Sequence, residues 1–322
     1  MGKATIEFKT VTPAFIHREP PGKAEREPRG EAEFRIPSLR GVLRFWTRAV
    51  YGPFFGNPKE LFRKESELWG KTEWASRVRL RVDGVTPEET RQHPLLPHSP
   101  ERKSPSTALS PNRTYRVRID GSRESLREAI CILRLATVLG GLGQRSRRGA
   151  GSFDVQVLEA PEDLEERYRN PLPQDPERLA QWIRGTIQHL QRNMGQPAHS
   201  GEAPFPMLCP APHACASIRV RRGSAADAEN ARRDIMIALR GYKSPSWGLP
   251  YLKPRAGHPT IGGRDVRWAS PAHFRILRGD RGVLEVLTVL KSPFPSVIPM
   301  DLRNWNEVDR FARNFGGVVA WP

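Results

Sequence analysis

The chain has 322 residues, beyond the size at which one hydrophobic core usually keeps growing, so its length predicts two domains. Hydrophobic residues make up 38% of the sequence and charged residues 27%, a balance that excludes a chain disordered throughout. It carries 52 Lys and Arg against 35 Asp and Glu, a formal charge of +17, and 42 of the basic residues are Arg. Because the planar guanidinium suits bidentate contacts to phosphate, this composition favours a nucleic acid as the partner.

The sequence also restricts the compartment. No stretch approaches 18 uninterrupted apolar residues, and the N-terminus lacks the apolar core of a signal peptide. We therefore expect a cytoplasmic protein with no membrane partner. Three cysteines cannot form a disulfide framework, which fits a reducing compartment.

Hydrophobic periodicity predicts the elements of the first half of the chain. Strands are expected at 4–11, 77–82, 114–119 and 153–157. Helices are expected at 38–51 and 123–139, which gives the order strand, helix, strand, strand, helix, strand. Ser38 is the expected N-cap of the first helix, residues 86–113 are expected to be mostly loop, and the second helix is apolar nearly all round and therefore buried. This order is the ferredoxin-like βαββαβ pattern, in which one face of the sheet stays open, and RNA-recognition folds use that face.

A second series of the same order follows a helical and Pro-rich connection. Its elements are expected at 216–221, 227–239, 274–277, 283–290, 303–314 and 317–320. The sequence thus predicts an α+β protein with two ferredoxin-like (RRM-like) domains and with loop and helical insertions. The predicted domains are 1–158 and 215–322, joined by a segment at 159–214.

The first helix carries a stripe of cations along its exposed flank. The stripe consists of Arg40, Arg44 and Arg48, spaced by about one turn. The helix itself has no Asp or Glu to form the usual i, i+4 pairs, so an unpaired arginine row suited to a phosphate backbone is expected. A solvated helix face with no ligand is the alternative.

A Gly-rich segment between the second helix and the last strand is the other candidate RNA-binding element. Its candidate residues are Gly140, Gly141, Gly143, Arg145, Ser146, Arg147, Arg148 and Gly149. The segment follows a helix, precedes a strand and has no Lys, which excludes a P-loop. Glycines permit a close backbone approach, so exposed N–H groups and arginines together could hold several phosphates. A long flexible connection is the alternative.

These residues resemble a known family. The similarity lies in four stretches, Thr12-Pro13-x-Phe15, the first helix from Arg35 to Ala49, the Gly-rich segment from Gly140 to Ser152, and Arg267-x-Ala269-Ser270-Pro271. Together they resemble the RAMP superfamily of CRISPR proteins, most closely the RAMP subunit at the head of the type III-B Cmr effector complex. The helix and the Gly-rich segment are the specific part of the resemblance; elsewhere it rests on the order of the elements.

The resemblance implies two ferredoxin-like domains and a ribonucleoprotein setting, with crRNA, target RNA and other Cmr subunits as partners. The loop after the first strand departs from the family. Relatives typically continue there with glycines, whereas this chain has His17-Arg18-Glu19-Pro20-Pro21, so any contact made by that loop in relatives is not carried over.

Candidates for catalysis or metal binding are few. Some RAMP endonucleases use a His as general base, which makes His17 the strongest catalytic candidate. Cys209, His213 and Cys215 offer three ligands where structural zinc needs four, and Gly262-Gly263-Arg264-Asp265 lacks the second carboxylate of two-metal chemistry. We therefore expect no cofactor, no metal and no catalytic residue.

Three functions stay open at this point. The sequence favours a non-catalytic RNA-binding subunit of a Cmr complex. The first alternative is a metal-independent RAMP endoribonuclease that processes CRISPR precursor RNA through His17. The second is an RNA-binding protein that works outside any complex.

Overall fold

The structure is a computed structural model of the chain. It describes residues 1–17, 32–85, 90–97, 105–199, 203–210, 215–242, 247, 260–261, 264–265, 269–294, 296, 298, 300 and 303–322. Within those ranges, no helix has the length and apolar character needed to cross a bilayer.

The first half of the chain builds a four-stranded antiparallel sheet. Its strands are β1 (Gly2–Thr10), β2 (Val78–Val85), β5 (Thr114–Gly121) and β6 (Phe153–Glu159), arranged in the order β2-β5-β1-β6. In β1 the even-numbered residues from Ala4 to Thr10 are buried, as expected for a strand with one face against a core. The four strands predicted from alternation are confirmed, with their ends shifted by at most three residues.

Two predicted helices cover the buried face of this sheet. They are α1 (Ile36–Tyr51) and α3 (Arg123–Leu139). Ser122 caps α3, its side chain accepting a hydrogen bond from the Ser125 backbone N–H. The N-cap of α1 is Arg35 and not Ser38, because Pro37 lies inside the first turn, where its fixed φ suits a helix start. The prediction that Ser38 caps this helix was wrong.

Further elements occupy ranges for which the sequence predicted none. Helix α2 (Pro58–Trp69) follows α1 after a short 3₁₀ turn at Gly52–Phe54. Strands β3 (Thr90–Pro94) and β4 (Pro105–Leu109) pair as an antiparallel hairpin inside the range expected to be mostly loop.

The second half builds another four-stranded antiparallel sheet with the same pattern of neighbours. Its strands are β7 (Ala216–Arg222), β10 (Ala272–Gly279), β11 (Gly282–Leu290) and β12 (Val318–Trp321), in the order β10-β11-β7-β12. Its helices are α6 (Ala228–Ala238) and α7 (Asn306–Phe315), and the two-residue strands β8 (Thr260–Ile261) and β9 (Arg264–Asp265) form a small pair. Helices α4 (Glu166–Arg169) and α5 (Pro176–Gln191) lie between the two halves of the sequence.

Helix α3 lies between the two sheets. It contacts the strands of the first sheet on one side and β10 and β11 on the other, while α5 packs on β7 and β12. Every residue of α3 from Ala129 to Leu139 is buried, which confirms the prediction from its apolar circumference. Because α6 and α7 cover the opposite side of the second sheet, that sheet has no open face, and Ala272 to Leu277 of β10 are all buried.

A fully buried arginine joins the two halves. The guanidinium of Arg275, on β10, donates to the backbone carbonyl of Thr137 at 2.6 and 2.9 Å and to that of Gly151 at 2.9 Å. Burial lowers the pKa of Arg275 to about 9, so the side chain still carries its charge at neutral pH. The result is a mixed α/β protein whose two antiparallel sheets share a core around α3.

We expect Arg275→Ala to lower the free energy of unfolding by about 2–5 kcal/mol, because the Thr137 carbonyl would lose both guanidinium donors in a buried site and the Gly151 carbonyl would keep only the Leu142 N–H. Urea denaturation followed by circular dichroism measures the change. Arg79→Ala is the matched control, since Arg79 is exposed on β2 and should change stability by no more than about 0.5 kcal/mol. Equal midpoints for the two variants would contradict the structural role of Arg275.

Candidate nucleic-acid interface

Two of the three arginines of the predicted stripe on α1 are held by a carboxylate. Arg48 Nη1 donates to Glu65 Oε2 at 2.6 Å, and Arg44 Nη1 lies 3.4 Å from Glu65 Oε1. Arg44 Nη2 also donates to the backbone carbonyl of Gly70. The expectation of an arginine row without acidic partners was therefore wrong, because the carboxylate comes from a neighbouring helix.

Glu65 is fully buried on α2, which packs against α1. The helix begins after Asn57, whose side chain accepts from the Lys59 backbone N–H, with Pro58 in the first turn. Leu61, Leu68 and Trp69 form its buried face together with Glu65. The sequence signal that could have predicted this helix is its Asn-Pro start followed by apolar residues at positions i, i+7 and i+8, which are Leu61, Leu68 and Trp69.

The stripe nevertheless keeps a net positive charge. The side chains of Arg44 and Arg48 are 27% and 41% exposed although they pair with Glu65. Arg40 is half-buried, and no carboxylate in the part of the chain that the structure describes pairs with it. Two of the three guanidinium groups therefore share one buried carboxylate, which fixes them in place, and the stripe keeps a surplus of cations on this flank.

The Gly-rich segment is packed tightly on the end of β1 and on α1. A Cβ on Gly140 would lie 2.3 Å from the indole Nε1 of Trp46. Gly143 has a φ of +89°, and a Cβ on it would collide with the carbonyl of Phe15. The backbone N–H of Gln144 donates to that same carbonyl. Only glycine fits these two positions, so this segment is an ordered turn and not a flexible connection.

The remaining predicted residues of the segment have different environments. Gly141 lies against the backbone of Ala150, Ser146 is half-buried, and Gly149 accepts a hydrogen bond from the Thr12 hydroxyl at 2.7 Å. Arg145 is exposed and has a φ of +58°. Of the three arginines of the segment, Arg145 is the one that reaches solvent most fully.

Arg147 and Arg148 turn toward the second half of the chain. Arg147 Nη1 donates to the Ser270 backbone carbonyl, and Arg148 Nη1 donates to the Ser270 hydroxyl at 3.1 Å. Burial lowers the pKa of Arg147. The structure thus brings the Gly-rich segment together with Ser270, which belongs to a separate stretch of the resemblance. These two arginines connect the halves, which corrects the expectation that all three point to a ligand.

An aromatic cluster adjoins these arginines. The ring of His273, on β10, stacks on Phe45 with 5.5 Å between centroids and meets Trp46 edge-on at 5.5 Å. Arg147 lies 5.9 Å from the centre of the Phe45 ring. Burial and the charges of Arg147 and Arg148 hold the pKa of His273 well below its usual range, so this histidine is neutral. The cluster fixes the Gly-rich segment against the middle of α1.

Of the two four-stranded sheets, the first has an open face in the described part of the chain, and that face is charged. Its outward side chains include Glu7, Lys9, Arg79, Arg81, Arg116, Arg118 and Asp120. Asp120 pairs with both Arg81 and Arg118, at 3.0 and 2.8 Å. None of these positions is aromatic, so the base stacking used by RNA-recognition folds is not available there.

The other candidate residues fall outside this region. His17 Nε2 lies 2.7 Å from the Thr107 carbonyl, so this ring nitrogen donates to the hairpin strand β4. Cys209 and Cys215 form a disulfide, which corrects the expectation of reduced cysteines. His213, Gly262 and Gly263 lie outside the described residues. Within the described ranges, no group of three or more His, Cys, Asp or Glu side chains could hold a metal ion.

We expect the double substitution Arg44→Glu/Arg48→Glu to destabilise the protein by about 3–5 kcal/mol, because it surrounds the buried Glu65 with like charge. Arg40→Glu should stay within about 0.5 kcal/mol, since no described carboxylate depends on Arg40. Thermal melting of both variants checks this. Trp46→Ala, a core truncation costing about 3–5 kcal/mol, gives the scale of a severe change. A double variant that melts like wild type would show that Glu65 does not need its two partners.

Comparison with known proteins shows which family model and which proteins this chain resembles. Residues 7–154 match the model of the RAMP superfamily. The CRISPR system Cmr subunit Cmr1-2 of Pyrococcus furiosus is 28% identical over 190 residues, covering 49% of this chain and 97% of that protein. The Cmr1-1 subunit of the same organism is 28% identical over 140 residues, covering 38% of this chain and 40% of that protein.

Solved structures share the fold over most of the chain. The crystal structure of Cmr1 from Pyrococcus furiosus, in its apo form, superposes with a TM-score of 0.68 at 17% identity and covers 100% of this chain and 99% of that one. A chain of the type III-B Cmr-beta complex bound to cognate target RNA and AMPPnP has a TM-score of 0.56 at 13% identity, covering 91% of this chain and 96% of that one.

The matched region contains both motifs on which the sequence resemblance was based, the arginine-bearing helix and the Gly-rich segment up to Phe153. The resemblance to CRISPR proteins of the RAMP superfamily is therefore confirmed over residues 7–154, which match the family model.

Proposed function

We propose that this chain is a non-catalytic RNA-binding subunit of a type III-B CRISPR (Cmr) effector complex. In this role it contacts the backbone of guide RNA, target RNA or both near the head of the assembly. The single observation that carries the proposal is the family match over 7–154, because it spans both α1 and the Gly-rich segment, which contact each other through Phe45 and Arg147. The Cmr complex is proposed as the assembly because both similar proteins of Pyrococcus furiosus are named as Cmr subunits.

The proposal includes two ferredoxin-like domains. The neighbour order of each sheet is second, third, first and fourth strand of its own βαββαβ series, which is the order expected of that fold. The second domain does not offer an open sheet face, so its part in binding is to hold the Gly-rich segment through Ser270 and His273.

The cations that reach solvent determine how RNA is bound. Arg40, Arg44, Arg48 and Arg145 are at least partly exposed, and they present phosphate-directed donors without an evident base-reading pattern. Binding of a single strand is therefore electrostatic and largely independent of sequence.

We expect single-stranded RNA binding to weaken steeply with salt. With four to six phosphates engaged, the slope of log affinity against log salt concentration should be about −3 to −4. Fluorescence anisotropy with two unrelated RNA sequences measures it. The variant Arg40→Glu/Arg145→Glu should lower affinity for both sequences alike, whereas Arg63→Glu, an exposed arginine on α2, is the control that should change it little. A flat salt response, or strong preference for one sequence, would count against the proposal.

The absence of catalysis is part of the proposal, and the competing function is an endoribonuclease acting through His17. Because His17 Nε2 is already engaged with the Thr107 carbonyl, only Nδ1 is left to accept a proton. A general base must lie within hydrogen-bond reach of the proton it takes, and a ring fixed to a strand has little freedom to adjust.

We expect repeat RNA to stay intact when incubated with the purified protein in EDTA. Gel electrophoresis of end-labelled RNA follows the reaction, with His17→Ala as the paired sample. Cleavage that persists in EDTA and disappears in His17→Ala would establish the endoribonuclease instead. Co-purification with the other subunits from the native host separates a Cmr subunit from an RNA-binding protein that works outside any complex.

A further inference from the structure

A cavity of about 560 Å³ lies away from the Gly-rich segment, at the C-terminal end of α5. Its walls include Arg184 and Gln188 of α5, Arg192 and Pro197 just after that helix, Phe54 of the 3₁₀ turn after α1, and Trp321 at the end of β12. The volume falls within the range of about 300–1,000 Å³ typical of pockets for small molecules. The predicted RNA-binding residues do not line it.

The chemistry of the walls is both aromatic and cationic. Half-buried Phe54 presents ring surface, Trp321 lines the cavity with the small part of its surface that is not buried, and the lining is more apolar than polar. Arg184 and Arg192 supply positive charge, and no described side chain that lines the cavity is acidic. Aromatic faces combined with arginine are the means by which proteins bind unpaired bases of a single strand.

The rings and cations are held in place by contacts outside the cavity. Trp321 is almost fully buried, and its Nε1 donates to the Cys209 carbonyl at 2.9 Å. Arg184 donates to the carbonyls of Val319 and Ala320, at 2.8 and 3.4 Å, which fixes the edge strand β12 against α5. A rigid aromatic wall loses little conformational freedom when a base stacks on it.

The cavity adjoins the C-terminal end of α1, the helix that carries the arginine stripe. Phe54 follows the last turn of α1, in which Arg48 lies, and Gln191 of α5 donates to the Val50 carbonyl at 2.8 Å. The turn after α5 is fixed to the same region, since the backbone N–H of Ala198 donates to the Pro53 carbonyl at 2.8 Å. A strand held along the flank of α1 therefore comes to the mouth of the cavity at the C-terminal end of that helix.

We propose that this cavity binds one unpaired nucleobase of an RNA strand whose backbone follows the arginines of α1, with Arg192 at the rim contacting the adjoining phosphate. The proposal rests on the proposed RNA-binding function and adds a base site to it. A base and not a phosphate occupies the interior, because the C-terminal end of a helix carries partial negative charge while aromatic walls accept the flat face of any base.

The test compares two strands that differ only in their bases. The probes are a ten-nucleotide oligouridylate and a ten-unit abasic ribose-phosphate strand, each labelled for fluorescence anisotropy with the full chain. We expect Phe54→Ala to weaken binding of the oligouridylate about fivefold or more and to leave affinity for the abasic strand unchanged. Phe62→Ala, at an exposed Phe on α2 outside the cavity, is the matched control and should change neither.

Arg192→Ala is a second variant that leaves the apolar walls intact, since Arg192 is exposed. For both strands it should make the slope of log affinity against log salt concentration less steep by about 0.7, as expected for one lost phosphate contact. An oligouridylate with one 5-iodouridine per molecule, cross-linked by light and mapped by mass spectrometry, should mark peptides that contain Phe54 or Trp321.

The outcomes separate this site from the function on which it rests. If wild type binds neither strand, the RNA-binding function fails and the base site fails with it. If wild type binds the oligouridylate but Phe54→Ala weakens both strands equally or neither, or the cross-links fall elsewhere, RNA binding stands and the base site is wrong. A melting curve of Phe54→Ala that matches wild type excludes a general loss of folding as the cause.

Discussion

The contact between Arg275 and the backbone at both ends of the Gly-rich segment is the constraint on which the rest of the structure depends. One guanidinium from β10 bridges the carbonyls of Thr137, near the end of α3, and Gly151, at the end of the segment. Since the site is fully buried, loss of this donor would cost free energy, above all at the Thr137 carbonyl, because the Gly151 carbonyl also accepts from the Leu142 N–H. The bridge therefore sets the distance between the ends of the turn and binds the turn to the second sheet.

Arginine has two roles in this chain, and composition alone cannot separate them. Arg134, Arg232 and Arg275 are fully buried, and backbone carbonyls accept hydrogen bonds from all three. A guanidinium with five fixed donors can satisfy several carbonyls at once, which a Lys ammonium cannot do with the same planar geometry. Part of the excess of Arg over Lys thus reflects internal hydrogen bonding, and the positive charge present at the surface is smaller than the formal total.

The sequence predicted those features that depend on neighbours along the chain. Alternation located the strands of both sheets, and the apolar circumference of α3 predicted a helix buried between layers. Contacts between distant residues left no local signal. Glu65 pairs with Arg48 although it lies on another helix, and Ser270 bonds to Arg148 although it lies 122 positions away in the sequence. Neither pairing changes the hydrophobic periodicity from which elements are predicted. The β3–β4 hairpin escaped prediction because its strands are only five residues long and Pro stands at the end of each.

The placement of α3 between two sheets has a consequence for synthesis on the ribosome. The side of α3 that contacts β10 and β11 is apolar, and those strands begin about 130 residues after the helix ends. At a synthesis rate of roughly 5–20 residues per second, that side of the helix would stay uncovered for on the order of ten seconds before β10 and β11 are made. During this interval the first half of the nascent chain exposes a hydrophobic surface that is buried once β10 and β11 have packed on it. Chaperones and other nascent chains could bind this surface during synthesis but not after folding.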